Sequence, residues 1–293
     1  MGNPEYGQYS RDDRDEFYQS IIRNYTMMSD TFMRNVLKDI SCAEYVIQVI
    51  MDRKDLRITD LTIQKDYKNL QGHSATLDCV AEDSEGKQFD VEIQQECEGA
   101  LPQRARYYSG LLDMNTLDPG KDYENLPETF MILITRKDVL GYDLPIYHID
   151  RRIRENGEPF EDRSHIIYVN SAFQDDTDLG RLMHDFHCRD AADMYSPVLA
   201  ERVRALKETP EEVEKMCQEM QKIREMGREE GREEGREEGR EEGRKEGREE
   251  GRETNREENA IRMLKDHMSY ELVAKYTGLS LDRVSTLAGE LSS

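Results

Sequence analysis

The sequence lacks the patterns that mark secreted, zinc-binding and membrane-spanning proteins. Its five cysteines include no C-x-x-C pair, which argues against a zinc site and against a disulfide framework. No stretch approaches the roughly 18 consecutive apolar residues of a membrane span. Met1 is followed by a polar segment without an apolar run, so we expect no signal peptide. We therefore expect a cytoplasmic protein with reduced thiols and no membrane partner.

Positive charge is also scarce. The chain has 41 Lys and Arg against 63 Asp and Glu, a net charge of −22 and a pI of about 4.8. This balance argues against broad, non-specific affinity for nucleic acid, which rests on Lys and Arg facing phosphates. A small cationic groove or a metal-filled acidic site remains compatible with it. No G-x-x-x-x-G-K-[ST] loop is present, which argues against a nucleotide-driven machine. No G-x-S-x-G elbow appears either.

The composition predicts a globular part and a non-globular part. Of the 293 residues 36% are apolar and 35% charged, and the mean hydropathy of −0.88 is too polar for one compact domain throughout. We divide the chain into four regions: a polar N-terminal arm (1–28), a domain with a helical C-terminal part (29–226), a low-complexity spacer (227–254) and a small helical unit (259–293).

The spacer repeats Gly-Arg-Glu-Glu from residue 227 to residue 252. Glu and Arg three apart form favourable pairs, but each glycine costs a helix about 1 kcal/mol relative to alanine. We expect a solvated, partly helical segment, or a tether or self-association element. In the helical unit, Ala274, Gly278 and Val284 have the spacing of a helix-turn-helix, and a helical hairpin used for packing or dimerisation fits equally well.

The sequence of the domain predicts both helices and strands. Apolar residues at helical spacing predict one helix or two abutting helices over 30–51, with Ser29 or Asp30 as the N-cap, and a further helix over 103–115. Strand patterns follow the chain at 56–63, 75–82, 88–95, 130–134, 145–153 and 165–169. We therefore expect an α/β fold, a mixed sheet flanked by helices.

Two of these strands form a predicted hairpin around the loop Ser84-Glu85-Gly86, in which glycine accepts the left-handed conformation. Side chains alternate between faces, so the register places Asp78 opposite Glu92, with Gln94 on the same face. Facing carboxylates repel unless a proton or a cation lies between them. The pattern fits a hard-cation site, and it also fits a solvent-exposed sheet face bearing acids.

The hairpin motifs Leu77-Asp78-Cys79-Val80 and Val91-Glu92-Ile93-Gln94 resemble the catalytic hairpin of the PD-(D/E)XK nucleases. They are most similar to the Rpn-type recombination-promoting nucleases, also described as nuclease-family transposases. Three further stretches between residues 29 and 170 support the resemblance: Asp30-Thr31-Phe32-Met33, Arg104 to Tyr108 with Gly110, and the G-x-x-Y segment that begins at Gly120. The superfamily's usual Lys is replaced by Gln94, which carries no charge.

The resemblance implies a metal-dependent endonuclease that hydrolyses DNA phosphodiester bonds in recombination or transposition-like events. Asp78 and Glu92 would bind Mg²⁺, with Mn²⁺ as a substitute, and Gln94 would position water. Asp30 would complete the metal shell or simply cap its helix. Arg104 would contact a phosphate or tie its helix to the hairpin.

Other functions stay open. A catalytically weak relative could bind nucleic acid or proteins, and an RNase or defence nuclease could share the fold. The C-terminal helical region could support a homo-oligomer. His184 and His187, three apart, could bind a metal or form a solvated helix face.

Overall fold

The computed structural model describes residues 11–67, 75–95, 97–117 and 120–292. The chain divides into two compact units, Met1–Met220 and Gln221–Ser293. Within the described ranges, no helix is long and apolar enough to cross a membrane.

A six-stranded mixed sheet forms the centre of the first unit, as the sequence predicts. The strands are β1 (Ile58–Tyr67), β2 (Ala75–Asp83), β3 (Gln88–Gln94), β4 (Thr129–Thr135), β5 (Ile146–Ile149) and β6 (Ser164–Asn170). Their spatial order is β1-β2-β3-β4-β6-β5. Strands β3, β4 and β6 are parallel to one another, and the other neighbours are antiparallel. The parallel strands are central and covered by helices, which explains the unbroken apolar run Phe130–Ile134.

Helices cover both faces of this sheet. The helices of the chain are α1 (Arg11–Asn24), α2 (Asp30–Leu37), α3 (Ile40–Ile50), α4 (Pro102–Thr116), α5 (Asp178–His187), α6 (Pro197–Glu208), α7 (Pro210–Lys265), α8 (Tyr270–Thr277) and α9 (Leu281–Ser292). The abutting pair α2 and α3 is separated at Asp39, whose carboxylate accepts the Ser41 N–H and caps α3.

The larger part of the core lies on one face of the sheet. Apolar side chains of α1, α2, α3, α5, α6 and the start of α7 pack there against alternate residues of the strands, such as Cys79, Phe89 and Val91. Helix α4 connects β3 to β4 and covers the opposite face, where Leu111 and Leu112 are buried. Two carboxylates of β3 also lie under this second layer, since Asp90 and Glu92 alternate with Phe89 and Val91.

The N-terminal region differs from the polar arm that the sequence predicts. Residues 1–10 lie outside the described residues, but α1 is a regular helix whose Tyr18 and Ile22 are buried in the main core. These two apolar residues, four apart, lie on one side of an otherwise charged helix. A polar composition therefore hid a packed element.

The second unit has its own small core, in which Ala260, Val273, Val284 and Leu287 are buried. Gly278 ends α8 in the left-handed conformation with φ +72°, and the Ser280 hydroxyl accepts the Arg283 N–H at the start of α9. The Gly-Arg-Glu-Glu tract is helical throughout, within α7, where the sequence predicts partial helix. The pairing of Arg232 with Glu229 at 3.3 Å illustrates the i,i+3 contacts that support it.

Candidate active site

The β2–β3 hairpin has the predicted register near its turn. Val80 pairs with Asp90 and Glu82 with Gln88, and the Asp83 N–H donates to the Lys87 carbonyl oxygen at 3.0 Å. Gly86 adopts φ +78° in the turn, the conformation for which glycine was expected. If this register continued for two more residues, Asp78 would lie opposite Glu92.

Backbone pairing between the two strands does not continue as far as Asp78. The Asp78 N–H instead donates to the Glu92 carboxylate, with 2.9 Å between N and Oε1. The structure therefore brings the two predicted acids into direct contact through the main chain of one and the side chain of the other. A hydrogen bond to a carboxylate favours its charged form.

Strand β2 is irregular at the same point. Leu77 and Val80 share one buried cluster with Leu111 and Leu112, although residues three apart in a regular strand face opposite sides. Strict alternation along β2 predicts Leu77 and Val80 on opposite faces, and this expectation is wrong. On β1, Gln64 lies between the pairs Ile63–Cys79 and Lys65–Leu77, at the position that faces Asp78, and its φ is +54°. Non-glycine residues rarely adopt this conformation, so the local geometry is imposed by the fold.

Burial makes these acids electrostatically unfavourable in their charged forms. Glu92 is 2% exposed and Asp90 is fully buried. Burial raises the pKa of Asp78, and the neighbouring charges of Glu92 and Asp30 raise it further. Burial likewise raises the pKa of Glu92 above its ordinary value. Each acid at this site therefore needs either to bind a proton or to have a cation nearby.

Asp90 is an acid that the sequence analysis did not assign to the site. It lies two residues before Glu92, between Val80 of β2 and Met131 of β4. Both of its carboxylate oxygens are buried without a hydrogen-bond partner. Burial raises its pKa, and the charges of Glu92 and Asp78 add to the effect. The signal available in the sequence was that Asp90 lies two residues before Glu92 on β3 and therefore shares its face of the strand.

Arg34 of α2 is the second residue that sequence reasoning missed. Its guanidinium lies 3.1 Å from Asp30 and 3.7 Å from Asp78, and its side chain is only 10% exposed. Ser29 occupies the N-cap position of α2 without a side-chain cap bond, so Asp30 does not act as the cap. The signal in the sequence was the i,i+4 spacing of Asp30 and Arg34.

Gln94 lies beside Glu92 and close to the start of the segment that leads into α4. Its Nε2 donates to Glu92 Oε2 at 3.4 Å. A Cβ placed on Gly99 would lie 2.0 Å from Gln94 Oε1 and 3.7 Å from an Arg104 nitrogen. The absence of a side chain at Gly99 therefore makes room for the Gln94 amide. Sequence reasoning did not single out Gly99.

Arg104 is exposed, and its guanidinium carbon lies 4.9 Å from the centre of the Tyr108 ring. Its positive charge lowers the pKa of both Asp78 and Glu92. The structure thus places all five predicted site residues around the end of the hairpin: Asp30, Asp78, Glu92, Gln94 and Arg104.

The donor set at the hairpin suits a hard divalent cation. It consists of carboxylates and one amide, which are ligands that Mg²⁺ accepts while it keeps several waters. In the described part of the chain, no three of these acids have ligand oxygens that all lie within 4.8 Å of one another. Asp78 and Glu92 would therefore be the minimal protein ligands, with water completing the shell.

The two histidines have separate environments. His187 Nε2 lies 2.9 Å from the Ser171 hydroxyl oxygen, and burial lowers the pKa of its ring. His184 instead contacts Cys188 and Asp185. A metal site formed by His184 and His187 together is therefore not supported by their contacts.

Comparison with known proteins gives a family for the chain. The family model for PD-(D/E)XK nuclease family transposases matches residues 44–245, which contain the hairpin, Gly99 and Arg104 but not α2. No curated protein and no solved structure matches the chain. The match covers more than half of the sequence, and the mixed sheet flanked by helices agrees with the fold of these proteins. The chain belongs to the PD-(D/E)XK nuclease family transposases.

Proposed function

We propose that the protein is a metal-dependent endonuclease that hydrolyses DNA phosphodiester bonds during recombination or transposition-like events. The observation that carries the proposal is the contact between the half-buried Asp78 and the buried Glu92, in which the Asp78 N–H donates to the Glu92 carboxylate at 2.9 Å where β2 leaves its regular pairing. Burying two unneutralised acids costs free energy, and a cation would offset that cost.

Asp78 and Glu92 would bind Mg²⁺ or Mn²⁺, and Asp30 is the next candidate because its Oδ1 is buried without a partner. A bound Mg²⁺ would acidify a coordinated water and neutralise charge that develops on the phosphate. The residues present fit such an ion because they offer oxygen ligands and an excess of negative charge. Burial raises the pKa of Asp90, two residues before Glu92, and so favours its neutral form.

Gln94 would orient the attacking water, because its amide both donates and accepts hydrogen bonds. It cannot supply the positive charge of the lysine found in the wider superfamily. Arg34 and Arg104 are positioned to supply that charge, since Arg34 lies 3.7 Å from Asp78 and Arg104 lowers the pKa of Glu92. Arg104 is exposed and could also contact a phosphate of the substrate.

The test is cleavage of supercoiled plasmid DNA by the purified protein in Mg²⁺, in Mn²⁺ and in EDTA. Cleavage should require the metal and should be lost in Asp78→Ala and Glu92→Ala. Asp60→Ala, which removes an exposed acid from the neighbouring strand, is the matched control and should cut normally. If both acid variants cut as well as the parent, the assignment to this hairpin is wrong.

A second candidate function is binding without efficient catalysis. It is favoured by Gln94 in place of lysine and by the net charge of −22. Gln94→Lys separates the two candidates, because a weak enzyme would gain activity while an active one would retain it. If neither protein cuts DNA or RNA with any divalent metal, the binding function becomes the better explanation.

The same assay with RNA distinguishes a DNase from an RNase. We also place the protein in the cytoplasm, in keeping with the thiol form of Cys42, Cys79 and Cys188. Self-association through the C-terminal helical region is a further part of the proposal. Light scattering of the full chain beside a chain that ends at residue 226 would test it.

A further inference from the structure

A second group of metal-ligating side chains lies at the end of α5 and is separate from the hairpin. The imidazole of His184, the carboxylate of Asp185 and the thiol of Cys188 offer ligand atoms that all lie within 4.8 Å of one another. Cys188 Sγ is 3.4 Å from His184 Nδ1, and His184 Nδ1 is 3.5 Å from Asp185 Oδ1.

These separations match the spacing of ligands around a single small ion. Zinc binds sulfur at about 2.3 Å and nitrogen or oxygen at about 2.0–2.2 Å in tetrahedral geometry, which places neighbouring ligand atoms about 3.3–3.6 Å apart. The distances from His184 Nδ1 to Cys188 Sγ, 3.4 Å, and to Asp185 Oδ1, 3.5 Å, lie within this range. The mixture of thiol, imidazole and carboxylate favours zinc-class transition metals over Mg²⁺.

Neighbouring groups hold the ligands in place. Asp185 is almost fully buried, and its two oxygens accept the N–H groups of Tyr195 at 2.7 Å and Ser196 at 2.8 Å. Metal-binding carboxylates are commonly oriented by such hydrogen bonds, and each oxygen keeps a lone pair. The Tyr195 ring packs against His184, with 4.8 Å between ring centres.

The site is accessible and lies in a negative field. His184 and Cys188 are partly exposed, which gives an ion a way in. Burial raises the pKa of the Cys188 thiol to about 11, and the charges of Asp185, Asp193 and Asp190 contribute. The same charges attract a cation, and a bound cation would displace the thiol proton.

Helix capping explains Asp185 but leaves the other two residues unexplained. Asp185 holds the backbone just before α6, which is sufficient reason for a buried carboxylate. It does not require the imidazole of His184 on α5 and the thiol of Cys188, just after the end of α5, to lie beside it. That juxtaposition is the observation that indicates a ligand.

We propose that His184, Asp185 and Cys188 bind one zinc-class divalent ion, with water as the fourth ligand. The ion fixes the C-terminal end of α5, where Asp185 also accepts the N–H groups of the segment that precedes α6, and its role is structural. This inference does not depend on nuclease activity. The hairpin and the α5 site differ in ligand chemistry, so they would select different metals.

Cobalt(II) is the probe, because it substitutes for zinc and gives a sulfur-to-metal charge-transfer band when a thiolate binds it. The full chain is titrated with Co²⁺ in excess Mg²⁺, which competes for the hairpin. We expect one equivalent to produce the band, and Zn²⁺ to abolish it. The Asp78→Asn/Glu92→Gln variant should bind Co²⁺ like the parent, which separates this site from the hairpin.

Cys188→Ser should remove the band, and His184→Ala should weaken Co²⁺ binding at least tenfold. The matched controls are His148→Ala, an exposed histidine of β5, and Cys217→Ala, a buried thiol outside the cluster. Both should titrate like the parent. Zn²⁺ should raise the Tm of the parent and of both controls, but not that of Cys188→Ser.

No band in the parent overturns the proposal, as does a band that persists in Cys188→Ser. If Cys188→Ser fails to fold, His184→Gln decides, because this residue is one-third exposed and the change keeps a similar size. An unchanged affinity in His184→Gln then rejects the site, and a tenfold loss supports it.

Discussion

At the scale of single residues, Arg34 places a buried positive charge among the site's acids. Its guanidinium contacts Asp30 and Asp78, while its Nε is buried without a partner. Removing one partner of a buried ion pair leaves the other charge uncompensated, which costs more than the pair itself contributes. Arg34 is therefore needed for stability before any metal binds.

We expect Arg34→Met to lower the free energy of unfolding in EDTA by about 3 kcal/mol. Arg34→Lys should lose less, because it keeps the charge but not the planar fork of donors. Urea denaturation at pH 8 measures both. Arg53→Met, which breaks the exposed contacts with Asp55 and Glu85, is the control and should cost clearly less than Arg34→Met, because exposed ion pairs contribute little. Equal losses for Arg34→Met and Arg53→Met would contradict this role.

The raised pKa values of Asp78 and Glu92 predict how stability changes with pH. Their pKa values are higher in the folded protein, because burial disfavours the carboxylates, so the folded state binds protons more tightly than the unfolded state. The contribution to stability is complete at low pH, below the ordinary carboxyl pKa of about 4, and is lost as pH rises through the folded-state pKa of about 7 for Glu92 and about 8 for Asp78.

Without metal, the urea midpoint should therefore fall between pH 5.5 and pH 8.5, and less so in Glu92→Gln. The difference between the parent and Glu92→Gln isolates the site from the other titrating groups. Glu155→Gln, an exposed loop substitution, should follow the parent. A parent and a Glu92→Gln variant with parallel pH profiles would refute the prediction.

At the scale of elements, the hairpin shows which structural features can be predicted from the sequence. Alternation and the Gly86 turn are local, so they predicted the register and the meeting of Asp78 with Glu92. The irregularity of β2 could not be predicted, because it accompanies an unusual backbone conformation on the neighbouring strand. Gln64 of β1 has a φ of +54°, which the surrounding fold imposes. Arg34 was hidden for a similar reason, since its contact with Asp78 depends on how α2 packs against the sheet.

Gly99 links the hairpin to the segment before α4, and its lack of a side chain leaves room for Gln94. We expect Gly99→Ala to displace the Gln94 amide, since the new Cβ would lie 2.0 Å from Oε1. A misplacement of about 1 Å in a positioning group can slow a reaction by up to about 100-fold. The measurement is the rate of plasmid cleavage under saturating Mg²⁺.

Gly110→Ala is the matched control for Gly99→Ala. Its Cβ would meet nothing within 4 Å, and alanine in a helix should stabilise α4 by up to about 1 kcal/mol. Its cleavage rate should equal that of the parent. Equal rates in both alanine variants would show that the space at Gly99 does not serve Gln94.

At the scale of the whole molecule, composition predicted a globular part and a highly charged part. It misjudged the N-terminal end of the globular part and the helicity of the charged part. Tyr18 and Ile22 of α1 are core residues within the predicted arm, because two apolar residues are enough to anchor a helix whose other side is charged. The tract 227–252 is more helical than its glycines suggest, because ion pairs such as Glu229–Arg232 offset part of their cost.

The stability of the first unit should depend little on the residues that follow residue 226. Its core includes Met216 and Cys217, with Val213 and Met220 packed against it, whereas residues 227–252 contain no apolar side chain. A chain that ends at residue 226 should therefore melt within about 2 °C of the full chain, since little buried apolar area is lost. A chain that ends at residue 209 is the control. It loses Met216 and Cys217, and its Tm should fall clearly because the core then has a cavity and an exposed apolar surface. Thermal melts followed by circular dichroism measure both chains, and the plasmid assay should find the longer one as active as the full protein. A large drop in Tm for the chain that ends at residue 226 would show that the C-terminal residues are part of the folding unit that carries the hairpin.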